Sequence, residues 1–379
     1  MNRYCSRLMF VVLVCFIAVG LALGQGHGEE VVPAIEGLDP VLLVQGKEVP
    51  GNLKISVTRG RFEYFFANED DKTTFQKQPE QYEIQLNGSC ARMGAPVGGN
   101  PDLYTVHKGR IYIFGSPECK SRFEAAPEKY LEADNGPKPM AAMAPEAVNK
   151  ARELIEKAVT AMGGANTIDN LTDYQEKSVS SQTRRGTDVE VKSNLAVIFP
   201  DRIRVEQIAP DFVNPTVMRQ NAFVMNGSEA FVVTAAGSRS VPDTSRFDQQ
   251  RELDRRPLAI LRARKLSTFK AAAAGSTKIG DASVEQVLIE INGAAQTIGI
   301  DPATGRIVSL SYRRRGPGGD FGEVVKTFSD FRTVGGLTGP FKVTATFNGE
   351  PWKEQSATIE SIAVNSKLDT ALFSQPKGQ

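Results

Sequence analysis

The feature that most constrains this chain is a long series of short segments in which apolar and polar residues alternate. The series begins near Leu171 and runs almost to the C-terminus, as in NLAVIFPDRIRVEQI and FKVTATFNGEPWKEQSATIESIAV. Alternation with a period of two is typical of β-strands that bury one face. Asn226-Gly227 and Asn348-Gly349 are residue pairs that tight hairpin turns favour. The pattern therefore predicts an antiparallel sheet built largely from hairpins.

Two helical segments accompany these strands. The first is predicted over 147–162, with Pro145 before it and Gly163 after it. The second is helix-like over 247–274, where Pro257 marks a break or a second start. A single, strongly bent sheet whose concave face is covered by such helices encloses an apolar cavity.

Four residues are candidates for contact with a ligand in that cavity. The apolar side chains of the second helical segment are predicted to face the concave sheet, and Trp352 either marks the rim or is a half-buried strand residue. The candidate cavity residues are Leu258, Ile260, Leu261 and Trp352.

An internal repeat dominates the N-terminal part of the chain. Residues 60–82 match residues 109–130 at an offset of 48 after one residue of slack. Each copy has strand spacing, then a turn, then a short amphipathic helix that ends before a proline. Cys119 in the second copy corresponds to Asp71 in the first. The aromatic, proline and glutamate matches are Phe66, Phe75, Pro79, Glu80 and Tyr82 with Phe114, Phe123, Pro127, Glu128 and Tyr130.

The length of the chain and its charge set the broad class. A chain of 379 residues is too long for one typical core, so two domains are predicted. We expect them at 32–132 and 147–379, joined by a linker at 133–146 that is rich in Pro, Gly and Ala. With 45 basic and 44 acidic residues there is no net field that favours nucleic acid, so no nucleic-acid partner is expected.

The N-terminus has the layout of a secretory signal peptide over 1–24. Arg3 and Arg7 precede an apolar run at 8–23, and small residues follow at Ala22 and Gly24. The alternative is an uncleaved membrane anchor. Cleavage would remove two of the four cysteines and give an exported, periplasmic protein.

The remaining cysteines, Cys90 and Cys119, support two interpretations. In an oxidising compartment the pair is a disulfide candidate. Together with Met93 and His107 it is instead a candidate soft-metal site for copper or zinc, because thiolate, thioether and imidazole ligands suit these ions. With so few histidines the chain has no plausible Ser-His-Asp set, and we expect it not to be an enzyme.

The N-terminal residues 37–131 resemble a YHS domain, a family related to TRASH domains. The resemblance lies in GLDPVLL, in YTVHKGRIYIFGSPECKSRFEAAPEKY and in the repeated P-E-x-Y ending. It implies a small αβ module with cysteine ligands for a metal. Here Gly115 stands where the first turn cysteine usually is, and Cys119 matches the second, so the family's ligand set is incomplete.

Residues 145–376 resemble the LolA-like, outer-membrane-lipoprotein-sorting superfamily. The resemblance lies in stretches such as AMGGANTIDNLTDYQEKSV, FPDRIRVEQ, VMNGSEAFVV and VNSKLDTALFSQP. The resemblance implies an unclosed antiparallel half-barrel wrapped around helices, which holds an acyl chain or another apolar ligand. The fold class expected for the whole chain is thus α+β.

Three functions follow as hypotheses. The first is an exported, non-enzymatic binding protein with an apolar ligand and a metal-binding YHS-like module. The second is a structural protein of the cell envelope, with a Cys90–Cys119 disulfide, a protein partner and no small ligand. The third is redox or metal-dependent catalysis at Cys119, which requires a thiol with a lowered pKa.

Overall fold

The structure, a computed structural model, describes residues 31–94, 97–131, 140, 143–184, 186–211, 214–241, 243–280 and 282–375. These residues form two compact units. The N-terminal unit comprises the described residues up to 131 together with Arg315–Phe321, and the remaining residues form the sheet unit. The predicted signal peptide at 1–24, its anchor alternative and most of the predicted linker at 133–146 lie outside the described residues.

The N-terminal unit contains two small sheets and four short helices. A three-stranded sheet has the order β1-β3-β2, and β4 pairs with β5 in a separate hairpin. The strands are β1 (Val32–Pro33), β2 (Asn52–Arg59), β3 (Phe62–Phe66), β4 (Asn100–His107) and β5 (Arg110–Phe114). The helices are α1 (Pro40–Val44), α2 (Glu69–Lys77), α3 (Pro79–Tyr82) and α4 (Pro117–Ala125).

Both copies of the sequence repeat fold in the same way, which confirms the predicted strand, turn and helix. In each copy a polar side chain caps the helix: Asn68 accepts from the backbone N–H of Asp71 at 2.9 Å, and Ser116 accepts from that of Cys119 at 3.2 Å. Phe75 and Phe123 are fully buried at equivalent positions. The repeat therefore places Cys119 in the first turn of α4.

The sheet unit is built on one large antiparallel sheet. Consecutive strands pair with each other in two runs, β6–β11 and β12–β17, and the C-terminal strand β19 lies between β6 and β17. The path begins at β11 and ends at β12, so the sheet is open. Its strands are β6 (Asp173–Arg184), β7 (Thr187–Ile198), β8 (Arg202–Pro210), β9 (Met218–Asn226), β10 (Glu229–Thr234), β11 (Gly237–Ser240), β12 (Lys270–Ile279), β13 (Ala282–Ile291), β14 (Ala294–Ile300), β15 (Ile307–Arg315), β16 (Phe321–Val334), β17 (Leu337–Phe347), β18 (Glu350–Pro351) and β19 (Ala357–Val364).

Helices cover one face of this sheet. They are α5 (Pro145–Ala161), α6 (Ala165–Asp169), α7 (Asp243–Asp254) and α8 (Pro257–Ala263). The buried face of α5 has the spacing of an amphipathic helix, with Ala151, Leu154, Ile155 and Ala158 in the main core. Along the strands, every second side chain packs into this core. The architecture is thus a large open antiparallel sheet with a few helices, as the alternating pattern predicts.

The opposite face of the sheet also has an apolar cover. Leu195 and Val197 of β7 belong to the main core, whereas Ala196 and Ile198 pack in a second cluster with Phe373 and Leu368. The C-terminal segment therefore closes this part of the outer face. A strand that is buried on both sides explains why the alternation is weak in the stretch NLAVIF.

The second helical segment differs from its prediction. Helix α8 ends at Ala263, and the run KAAAA at 270–274 lies in strand β12, where the fully buried Ala272 pairs with Leu288. Alanine has a high helix propensity, but pairing with β13 overrides it here. No helix within the described residues is both long and apolar enough to span a membrane.

Candidate functional site

The sheet unit contains a partly open cavity of about 230 Å³. Its roof is α7, α8 and the turn between them, and its floor comes from β6, β7, β8, β16, β17 and β19. Because β19 lies between β6 and β17, the two ends of this domain's sequence form one continuous floor. The cavity therefore depends on the insertion of the C-terminal strand.

One part of the cavity wall is apolar. Leu258 of α8 lines it together with apolar side chains of several sheet strands. Burying a side chain of this size stabilises a fold by about 1.5–3 kcal/mol, and the same surface offers a ligand an apolar contact. The main apolar lining residues are Leu195, Phe199, Val205, Leu258, Phe328 and Val343.

A polar stripe runs along β6. Tyr174, Glu176, Ser178 and Ser180 all line the cavity, as residues at a spacing of two must when they share one face of a strand. Tyr174 and Glu176 are buried, whereas Ser178 and Ser180 are partly exposed. The lining thus changes from buried and charged at one end of the strand to hydroxylated and partly exposed at the other.

Glu252 of α7 is the centre of the first charged cluster. One of its oxygens, Oε1, accepts from Arg255 at 2.5 Å and from Arg314 at 2.7 Å, and Oε2 accepts from Lys326 at 3.3 Å. Burial acts to raise the pKa of Glu252, but the charges of Lys326, Arg314 and Arg255 outweigh it and hold that pKa well below its usual range. The Glu252 carboxylate is therefore ionised at neutral pH.

Tyr312 positions two of these cations. The Arg255 guanidinium lies over its ring at 3.6 Å from the centroid, and the Lys326 ammonium lies at 5.7 Å. Cation–π contacts of this kind are strengthened when the cation is shielded from water. The arrangement keeps both cations beside the cavity.

Glu176 is the centre of a second cluster. Its Oε2 atom accepts from the Tyr174 hydroxyl at 2.7 Å and from Arg256 Nη1 at 2.5 Å. Burial, together with the charge of Glu176, raises the pKa of Tyr174 well above its ordinary value. Burial acts to lower the pKa of Arg256, but Glu176 more than offsets this, so Arg256 stays charged.

The structure brings one of the four predicted cavity residues to the cavity wall. Leu258 lines it, but Ile260 and Leu261 are fully buried in the core and Trp352 packs edge-on against Phe347 at 5.5 Å. Successive helix residues point about 100° apart, so neighbours of Leu258 on α8 cannot all face the same space. None of these three is among the described lining residues.

The charged lining residues were not predicted from the sequence. Glu176, Glu252, Arg256 and Lys326 come from three distant stretches of the chain, and nothing local in those stretches indicates that they meet. The only local signal is the run RELDRRP at 251–257, which puts several charges directly before an apolar helix.

The N-terminal unit brings Cys90 and Cys119 together as two free, buried thiols. Burial acts to raise the pKa of Cys119, but hydrogen bonds with Ser116, Arg92 and Cys90 bring that pKa below its usual value. Arg92 Nη1 lies 3.7 Å from the Cys119 sulfur. For Cys90 burial prevails and its pKa is raised. Cys119 is therefore the better nucleophile of the two.

The other two predicted metal ligands lie differently. Met93 packs against the apolar cluster that contains both cysteines. His107 stands edge-on to Phe123 at 6.0 Å, with its Nε2 atom 3.6 Å from Glu128. The described residues include no group of three or more His, Cys, Asp and Glu side chains that could hold a metal, so His107 does not complete a site with the cysteines. The disulfide between Cys90 and Cys119 stays a prediction.

Comparisons with known proteins give structural neighbours only. No protein-family model matches the chain, and no curated protein matches it. A DUF1329 family protein from Desulfovibrio piger is 14% identical, with a TM-score of 0.40, over 59% of this chain and 97% of that chain. A LolA superfamily protein from Nitrosomonas europaea is 11% identical, with a TM-score of 0.39, over 59% and 97%.

A third neighbour is a putative outer membrane lipoprotein-sorting protein domain from Vibrio parahaemolyticus. It is 9% identical, with a TM-score of 0.38, and the match covers 60% of this chain and 97% of that chain. TM-scores at this level do not show which ligand this chain binds or which role it has.

Proposed function

We propose that the sheet unit is a non-enzymatic binding domain that holds a single apolar or acyl chain in the cavity beneath α7 and α8. The observation that carries this proposal is the partly apolar cavity itself, which lies beside the main core of the open sheet. The sequence resemblance to LolA-like domains implies the same class of ligand. The signal-peptide pattern at 1–24 supports export to the periplasm.

The size of the cavity limits the ligand. A volume of about 230 Å³ exceeds the ~150 Å³ apolar cavity that is large enough for benzene. It is smaller than the roughly 300–1,000 Å³ of sites for drug-sized ligands. A single chain of moderate length fits this range better than a two-chain lipid.

We propose that the cavity binds its ligand without catalysis, because its buried charged groups are already paired. Glu176 and Glu252 are each engaged by cations, and Tyr174 keeps its proton at neutral pH. A general base works best when its pKa is near the operating pH, whereas the surrounding cations hold the pKa of Glu252 well below its usual range. We therefore propose that the charged groups of the cavity bind the ligand and do not react with it.

The N-terminal unit is proposed to use its thiol pair as a YHS-like module. The contact between Cys90 and Cys119 supports either a disulfide or a pair of thiolate ligands for a soft ion such as Cu(I). Intact mass without reductant, with thiol titration and elemental analysis, separates these. A mass lower by two hydrogen atoms indicates the disulfide, and free thiols with bound copper or zinc indicate the metal.

Filling the cavity tests the binding proposal. The Ser178→Trp variant places an indole in the cavity from its partly exposed side, and Ser181→Trp, on the opposite face of β6, is the matched control. We expect Ser178→Trp to weaken binding of the neutral dye N-phenyl-1-naphthylamine at least tenfold, measured by fluorescence titration. Ser181→Trp should bind like the wild type.

Two results would count against the proposal. One is that the wild type does not bind the dye, which would favour an envelope structural protein with a protein partner and no small ligand. The other is equal dye affinity in both variants, with both shown to be folded by circular dichroism.

A further inference from the structure

The charged groups beside the cavity are not balanced. Glu252 is contacted by three cations, and Glu176 by Arg256 alone. These direct contacts therefore join four cations to only two carboxylates. The cations are Arg255, Arg256, Arg314 and Lys326. Removing charge from water is costly unless opposite charge is near, so an excess of cations favours an added anion.

The neighbouring acids leave this excess at the cavity. Asp248 lies near Arg314 but forms its ion pair with Arg251 at 3.7 Å. Asp254 lies near Arg255 and accepts from the neutral amides of Gln250 and Asn292. Neither aspartate lines the cavity.

One further carboxylate lines the cavity. Glu354 comes from the turn 353–355, beside the charge of Lys353, and is partly exposed. Within the described residues Glu354 forms no ion pair with the cations around Glu252 and Glu176, so these cations remain in excess.

Two of the cations have capacity for another partner. The bond to Glu176 is the only hydrogen bond that the Arg256 guanidinium makes within the described part of the chain, and 37% of that side chain is exposed although it lies against the cavity. Lys326 lines the same cavity, and its 3.3 Å contact is the longest of the three to Glu252. Both lie within electrostatic range of Glu252.

Apolar burial alone gives little affinity in a cavity of this size. A ten-carbon chain gains roughly 8 kcal/mol at about 0.8 kcal/mol per CH₂, and association costs at least about 4 kcal/mol. The remainder corresponds to about millimolar binding. A charged contact at one end of the chain would add affinity that apolar burial does not supply.

We propose, building on the function argued above, that the ligand is a single-chain carboxylic acid. Its carboxylate pairs with Lys326 and Arg256, and its chain lies against Leu258, Phe328 and Val343. Carboxylate and guanidinium groups form strong, directional contacts in such surroundings.

A comparison of decanoate with 1-decanol tests this inference. The two have the same chain length, and at pH 7 only the acid is charged, because carboxyl groups titrate near pH 4. Affinities are measured by displacement of N-phenyl-1-naphthylamine from the full chain. We expect decanoate to bind at least tenfold more tightly than 1-decanol.

Variants at Lys326 identify the source of this preference. Lys326→Met should weaken decanoate about tenfold and leave 1-decanol unchanged, whereas Lys326→Arg should keep the preference. The matched control is Lys342→Met, at an exposed position on β17, which should behave like the wild type.

The outcomes separate the two proposals. If neither compound displaces the dye, both the binding function and this inference fail. If decanoate and 1-decanol bind equally, the binding function stands and the inference fails. Loss of both affinities in Lys326→Met, with the fold intact, would make Lys326 a packing residue and overturn its assigned role.

Discussion

At the residue scale, Glu252 has the most consequential position in the sheet unit. It joins α7 to β15 and β16 through Arg314 and Lys326, and it is close to Arg255 on its own helix. Burying an isolated carboxylate destabilises a fold, but here three cations offset that cost and hold the group ionised. Removing the carboxylate would leave those cations facing one another.

The first prediction is that Glu252→Gln lowers the free energy of unfolding by roughly 2–3 kcal/mol, near the lower end of the range for breaking a buried ion pair, because Glu252 is a quarter exposed. Urea unfolding at pH 7 measures this loss. Glu360→Gln, at an exposed position on β19, is the control and should change stability little. Equal stability of wild type and Glu252→Gln would show that the cluster contributes nothing.

The same residue gives a pH dependence. The pKa of Glu252 is lower in the folded chain than in the unfolded chain, where it is about 4.3. Its stabilisation is therefore fully present above the unfolded value and is lost as the pH falls through the folded value. We expect the stability difference between wild type and Glu252→Gln to shrink steadily below about pH 4. A difference that stays constant from pH 7 to pH 3 would contradict this assignment.

At the element scale, helix α4 links the repeat to the thiol pair. Ser116 caps the helix through the Cys119 amide and also lowers the Cys119 pKa. The equivalent helix α2 has an Asn68 cap and an aspartate at the matching position, so it has the same cap without the thiol. The two copies thus provide an internal control.

The prediction at this scale is that Ser116→Ala destabilises the N-terminal unit by about 1 kcal/mol, the usual cost of a lost cap. It should also raise the pH midpoint of Cys119 alkylation, followed by mass spectrometry of the Cys119 peptide. Asn68→Ala should have a similar effect on stability and leave that midpoint in place. If both variants shift the midpoint equally, the effect is one of general loosening.

Sequence patterns predicted elements well where burial repeats locally. The alternation after Leu171 indicates the hairpins, and the repeat indicates α2 and α4, because each pattern is set by which face of one element is buried. The KAAAA run was assigned to the wrong element, since pairing with β13 decides it. Among the cavity residues, only Leu258 was predicted, because Glu176, Glu252 and Lys326 meet through tertiary pairing alone.

At the scale of the whole molecule, the cavity depends on one topological feature. Strand β19 pairs with β6 and β17, which brings the first and last strands of the domain to the same part of the floor. Local patterns carry no information on this long-range pairing. The cavity between this floor and α7 and α8 is what distinguishes a binding domain from a filled scaffold.

The most direct test of this account is photo-crosslinking of the full chain with a decanol that carries a diazirine on its terminal carbon. Crosslinked peptides are mapped by mass spectrometry with and without excess 1-decanol. The account predicts competable crosslinks in the peptides that contain Leu258, Phe328 and Val343. Crosslinks that are spread over the surface, or that concentrate on exposed residues such as Phe247 and Leu266, would contradict it.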